Sequence, residues 1–218
     1  MNTLNGRIRF SQDLLFFRSI PSVGLDVRFN QLRSLSELAA GEETRFLNVW
    51  SVEGRYAPSR RWGLQLRAEN ENNRLGSAAF ASRRYDIDGV RFEPEISFSP
   101  SGALSFVAGA EWARKTDNEG NRSASVLKIP FETRFRKIRK AQVTARFEAA
   151  FVDLTGEAVG LSLFELTDGR GAGTSYLWGL NGDYTLNQFL RLSFSYDGRA
   201  PADAPVVHTL RVQMSALF

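Results

Sequence analysis

The chain has 218 residues, no cysteine, and a formal charge of +4 from 28 basic and 24 acidic side chains. Without cysteine there is neither a disulfide framework nor a thiolate metal centre, and basic residues that are scattered and nearly balanced argue against a nucleic-acid partner. At 43% hydrophobic residues and a mean hydropathy of -0.27, no run approaches the roughly 18 apolar residues of a spanning helix, yet a chain that crosses a membrane in strands would leave the same record, because only alternate residues must then be apolar.

Alternation of apolar and polar residues, the mark of a strand with two unlike faces, recurs along the whole chain. It begins loosely at 7–17, with Ile8, Phe10, Leu14 and Phe16 against Arg7, Arg9, Ser11 and Asp13. It sharpens at 23–30 (Val23, Leu25, Val27, Phe29 against Asp26, Arg28), 50–56 (Trp50, Val52, Tyr56 against Glu53, Arg55) and 62–69 (Trp62, Leu64, Leu66 against Gln65, Arg67). In 90–98, Val90, Phe92, Ile96 and Phe98 oppose Arg91, Glu93 and Glu95, and Pro94 predicts a bulge or a weak ladder there. Then come 104–112, 126–135 (Glu132, Arg134 on the polar face), 142–152 (Arg146, Glu148), 175–186 (Asp183), 189–196 (Arg191) and 206–218 (Arg211). These are about eleven strands. Residues 32–40 could form a helical turn or two, and 157–167 could be partly strand.

The connections alternate. Short ones fall near 18–22, 57–61, 99–102, 137–140 and 187–188; long ones, rich in Gly, Asn, Asp and Glu, fall near 34–44, 70–83, 114–123, 153–173 and 197–205. Short turns at one end and long loops at the other are expected of a transmembrane barrel. Aromatic residues on the apolar face gather near strand ends: Phe16, Tyr56, Trp62, Phe98, Phe135, Tyr184, Phe189 and Phe218 toward the short turns, and Phe29, Trp112, Phe151, Tyr176, Trp178 and Tyr196 toward the long loops. Two such girdles suit rings that sit at headgroup level. The polar face carries both signs of charge and favours Arg over Lys, as suits pairing in a crowded interior. Its candidate lumen-lining residues are Arg28, Glu53, Arg55, Arg67, Arg91, Glu93, Glu132, Arg134, Arg146, Glu148, Asp183, Arg191 and Arg211.

The last strand sets Leu210, Val212, Met214, Ala216 and a final Phe218 at alternate positions. This resembles the C-terminal insertion signal of Gram-negative outer-membrane β-barrel proteins. The resemblance covers the whole chain as architecture and the last strand as motif. It implies an all-β fold, an antiparallel up-and-down transmembrane barrel of about 10–12 strands forming one domain over 1–218, or the C-terminal part of a larger barrel. It also implies a bacterial outer-membrane location, contact with outer-membrane lipid, and recognition of the last strand by the barrel assembly machinery. An odd count of eleven departs from the even number usual for such barrels. Met1–Gly6 has no basic stretch followed by an apolar one, so a mature chain or part of something longer is expected.

Little in the chain points to catalysis. His208 is the only histidine and falls on the apolar face, where a nucleophile and an orienting carboxylate would have to join it. Asp117, Glu119, Asp168, Asp197 and Asp203 lie in long loops at no calcium-loop spacing and read as solvated charge. The glycines of 169–173 follow no strand-to-helix pattern and form no phosphate loop. Glu93 and Glu95 share a face, and neighbouring Arg91 favours ion pairing over a catalytic carboxylate pair. The expectation is a non-enzymatic barrel with no cofactor or metal, structural or acting as a narrow pore or translocation unit. The alternatives are an outer-membrane hydrolase with its site at the extracellular rim, and a soluble β-barrel or sandwich that binds an apolar ligand.

Overall fold

A computed structural model describes residues 5–17, 20–38, 41–137, 140–157, 160–187 and 189–216. The strands are β1 (Asn5–Phe16), β2 (Val23–Leu38), β3 (Gly41–Ser59), β4 (Trp62–Ser77), β5 (Tyr85–Ser101), β6 (Leu104–Gly109), β7 (Glu111–Asp117), β8 (Arg122–Lys137), β9 (Ala141–Thr155), β10 (Gly173–Thr185), β11 (Leu190–Ala200) and β12 (Val207–Ala216). One helix, α1 (Gly160–Thr167), interrupts them between β9 and β10. Every ladder is antiparallel, and neighbours in sequence, except β6 and β7, are neighbours in one 12-stranded sheet. This is the expected all-β, up-and-down architecture. No helix among the described residues is long and apolar enough to cross a membrane.

β6 and β7 are two halves of one pass. Phe92 faces Trp112 and Glu95 faces Gly109 on one side, while Phe131 faces Ala108 and Lys128 faces Glu111 on the other. The register is therefore continuous across the break. The same register sets Pro94 beside Ala110 and Pro130 beside Gly109, so the two flanking strands both lack a ladder donor at this level. The Ala110 N–H still reaches the Pro94 carbonyl at 3.0 Å. Pro94 thus makes a weak ladder rather than a bulge, and the twelve strands make eleven passes.

The outward rows are apolar over a belt of limited height. Leu64, Leu66, Val90, Phe92, Ile96, Ile129, Phe131, Phe147 and Tyr184 all project outward and exposed. On β5 the belt runs from Val90 to Phe98, about nine residues, which is about 27 Å along a strand and about 21 Å of height at a 40° tilt. A single sheet with this much apolar surface on its outside is the reverse of a sandwich, whose apolar faces meet each other.

Above the belt the pattern inverts. The outward positions become Asn70, Asn72 and Arg74 on β4, Asp86 and Asp88 on β5, and Arg114 on β7. The inward positions become apolar: Leu75, Tyr85, Ile87 and Ala124 form a buried cluster with Leu166 of α1, and Ala113, Val126 and Val152 form a second. The strands extend past the girdle on the long-loop side, which corrects three expectations. Residues 32–38 are strand, not helical turns, because Leu32, Arg33 and Ser34 pair with Leu47, Phe46 and Arg45. The long connections are shorter than their composition suggests; the turn from β4 to β5 is 78–84, with one 3₁₀ turn at Ala81–Arg83. And 160–167 is helix, not strand.

Candidate functional site

The connection from β9 to β10 folds back into the mouth of the sheet. Alone, Gly-Leu-Ser-Leu-Phe-Glu-Leu-Thr is too short to be a stable helix. It is held by its surroundings. Leu166 is fully buried in the inner apolar cluster, a burial worth about 1.5–3 kcal/mol. Ser162 donates to Asp117 Oδ2 at 2.8 Å, and the other Asp117 oxygen accepts the backbone N–H groups of Asp86 and Glu119. Glu165 accepts from Arg45 of β3 at 3.1 Å and from Asn73 of β4 at 3.0 Å. The helix ends where Asp168 and Gly169 turn to positive φ and the Gly169 N–H closes on the Phe164 carbonyl at 2.8 Å.

Asp168 is the centre of the site. Lys115 Nζ donates to one carboxylate oxygen at 2.6 Å, Lys128 Nζ to the other at 3.0 Å, and Arg91 Nη2 reaches both at 3.3 Å. Lys115 also donates to the Glu165 carbonyl at 2.7 Å, which sets a cation at the negative end of the helix. The Asp168 carboxyl is held down at about 2. Burial by itself would raise it, but hydrogen bonds and charge from Lys115 and then Lys128 outweigh burial. Three cations from β5, β7 and β8 thus converge on one loop carboxylate. Glu111 answers two of them, at 2.8 Å from Lys128 and 3.3 Å from Arg91. Next in the loop, Arg170 pairs with Glu148 of β9.

Below this lock lie two open cavities. One, about 790 Å³, is lined by Glu95, Glu132, Arg134, Arg146, Asn181 and Asp197 among others. The second, about 650 Å³ near the short turns, includes Asp26, Arg28, Arg55 and Glu95. Glu95 lines both.

The candidate lumen residues fall into separate clusters. Arg28 and Arg55 share Asp26 and Glu53 at 3.2–3.8 Å. Arg67 pairs with Glu69 at 2.6 Å, and Arg91 lies 3.9 Å from Glu93. Arg134 and Arg146 share Glu132. Asp183 accepts from Ser193 at 2.6 Å. Arg191 and Arg211 have no ion-pair partner among the described residues.

Alternation set Asp26, Glu69, Glu111 and Lys128 on the polar face, but the lumen candidates did not include them; Lys115 was read as loop, and Glu165, Asp168 and Arg170 were missed because a loop carries no parity. Asp117, expected as solvated charge, is buried and bonded, and Asp168, expected likewise, is partly buried and bonded; each reads as loop only until the strands and α1 are placed around it. His208 stacks with Tyr196, whose hydroxyl lies 2.9 Å from Nδ1, and adjoins Trp178 on the outer face. No group of three or more carboxylates or histidines suited to a metal ion occurs among the described residues. Leu210, Val212 and Met214 project outward from β12; Phe218 lies outside the described residues.

No protein-family model and no curated protein sequence matches the chain. Among solved structures it is similar to the translocator domain of the autotransporter NalP from Neisseria meningitidis (12% identity, TM-score 0.43, covering 99% of this chain and 82% of that one). It is also similar to OmpTdeltaL8, a loop-deletion mutant of an outer membrane protein of Vibrio cholerae (10%, 0.47, 99% and 98%), and to the beta domain of the Bordetella autotransporter BrkA (10%, 0.41, 99% and 91%).

Proposed function

We propose that this outer-membrane β-barrel is a non-enzymatic conduit for small polar solutes, stopped at its long-loop end by the segment 160–170. The observation that carries this is the convergence of Arg91, Lys115 and Lys128 on Asp168. Strand residues supply the charges that hold the loop, and the loop closes the mouth above two open cavities. Ion pairs such as Glu132 with Arg146 line the way below and give it charge of both signs, which sets selectivity by local field rather than by net charge. Lipid meets the apolar belt, and the outward row of β12 is the surface that assembly machinery would read.

The test is conductance of the chain reconstituted in a planar bilayer. Wild type should pass small currents with long closed intervals, and Asp168→Asn, or deletion of 160–168, should raise the open fraction and the current. No current from either form sinks the conduit reading and leaves a structural barrel. Hydrolysis of lipid or peptide that is lost in His208→Ala would replace it with the enzyme.

A further inference from the structure

A third cavity, about 550 Å³, opens at the short-turn end. It lies among the turn from β3 to β4, the turn from β5 to β6 and the last residues of β8. Backbone hydrogen bonds clamp these together: the Ser99 N–H donates to the Arg61 carbonyl at 2.7 Å, and the Arg136 N–H to the Ala103 carbonyl at 2.7 Å. Arg60, Arg61, Arg134 and Arg136 line the cavity, and no carboxylate does. Arg134 is answered by Glu132. Arg60, Arg61 and Arg136 have no ion-pair partner among the described residues. Nor do 57–61, 99–103 and 137–140 contain a single Asp or Glu, so nothing in these connections offsets the charge. Arg191, Arg199 and Arg211 also lack a carboxylate among the described residues, but they stand at separate levels of the β11–β12 ladder.

The cavity faces the inside. Ser105 and Arg136 keep the inward parity of Val107 and Arg134, while Phe106 and Phe135 take the outward row. A lipid headgroup meets that outward row; these guanidinium groups meet what enters the mouth. We infer that the cavity is a binding site for a soluble anion of the diphosphate class, held by Arg60, Arg61 and Arg136, with hydroxyls of Ser99 and Ser105 donating to the same oxygens. A guanidinium fork matches two oxygens of one phosphate. A single carboxylate has two oxygens in one plane and satisfies one fork; two linked phosphates offer oxygens in several directions and satisfy forks from two turns and a strand. The volume falls within the roughly 300–1,000 Å³ of small-ligand sites. The inference goes beyond the conduit reading. Binding at equilibrium needs no current, so a barrel that conducts nothing can still hold the anion.

The probe is inorganic pyrophosphate, titrated calorimetrically into the purified chain in nonionic detergent. The expected result is saturable binding, with succinate at least about tenfold weaker. Arg60→Gln/Arg61→Gln/Arg136→Gln should weaken pyrophosphate at least about tenfold, and Arg191→Gln/Arg211→Gln, at other levels of the lumen, should leave it within about twofold. Heat-modifiable migration in gels checks that each variant is folded, and the comparison with succinate needs no variant. No saturable binding, equal affinity for the two anions, or equal loss in both variants overturns the inference. A lipid source is tested in phosphatidylcholine nanodiscs with and without phosphatidylglycerol. Pyrophosphate should bind alike in both; its displacement by phosphatidylglycerol would give the arginines to the membrane and overturn the soluble site.

Discussion

Lys115 and Asp168 stand 53 positions apart in the chain and 2.6 Å apart in space, the ammonium 7% and the carboxylate 19% exposed. A loop pinned this way is fixed by its charge more than by its length. Removing one partner of such a pair strands the other in low dielectric, at a cost of about 3 kcal/mol. Asp168→Asn should therefore release 160–170 while the strands stay folded. Trypsin cleavage at Arg170 should rise, and heat-modifiable migration in gels should not change. Asp203→Asn, in another loop, should alter neither.

The same carboxylate predicts a dependence on acidity. Its ordinary value is 3.8 and the folded protein holds it at about 2. A depressed carboxyl stabilises the closed loop above its unfolded value, and that contribution disappears as pH falls through the folded one. Conductance should be flat from neutrality to about pH 4 and should rise between about pH 4 and pH 2. Asp168→Asn should abolish the rise. Opening near neutrality in wild type would contradict the assignment.

Gly169 ends α1 at φ +72, and a Cβ there would stand 2.6 Å from the Phe164 ring. Gly169→Ala should loosen the loop by about 1–2 kcal/mol through strain at positive φ. Amide exchange should quicken over 160–170 and stay unchanged in β3 to β5.

The belt predicts a contrast between two positions on one strand. Leu66 projects outward at belt height, and Asn70, one turn of the alternation above Ala68, projects outward beyond it. Leu66→Arg should cost about 2–4 kcal/mol and Asn70→Arg close to nothing. Unfolding in urea from lipid vesicles measures both. Equal costs would show that the belt is drawn at the wrong height.

Gly109 sits between the carbonyl of Pro94 at 3.1 Å and the Pro130 ring at 3.6 Å, measured from where a Cβ would stand. Gly109→Val should destabilise the barrel by about 1–3 kcal/mol, as overpacking does. Gly54→Val, where a Cβ would meet nothing within 4 Å, should be tolerated. Urea midpoints compare the two.

The fold was legible because a strand repeats every two residues whatever its surroundings. Trp62, Leu64 and Leu66 declare an apolar row without any knowledge of the neighbour. The limit of that signal appears at Ala68. Beyond it both rows mix polar and apolar side chains, so 70–77 reads as loop, although Leu75 and Asn73 are buried inside a continuous ladder with β3 and β5. The lock was illegible for a different reason. Asp168 is one acidic residue in a glycine-rich stretch, and what makes it special are Arg91, Lys115 and Lys128, brought there by three ladders. Composition sees a charge; only register sees that three opposite charges surround it.

Lys128 follows Leu127 at the upper edge of the belt, so the Asp168 cluster stands at that edge while the cavities lined by Glu95 lie nearer the short turns. On the proposed conduit reading the molecule is a cup rather than a tube, with its lid toward the long loops. A carboxylate-modifying reagent applied on the short-turn side meets Glu95 directly, and one applied on the opposite side meets the lid first. Sidedness of chemistry, and not only of orientation, is built into where one short helix comes to rest.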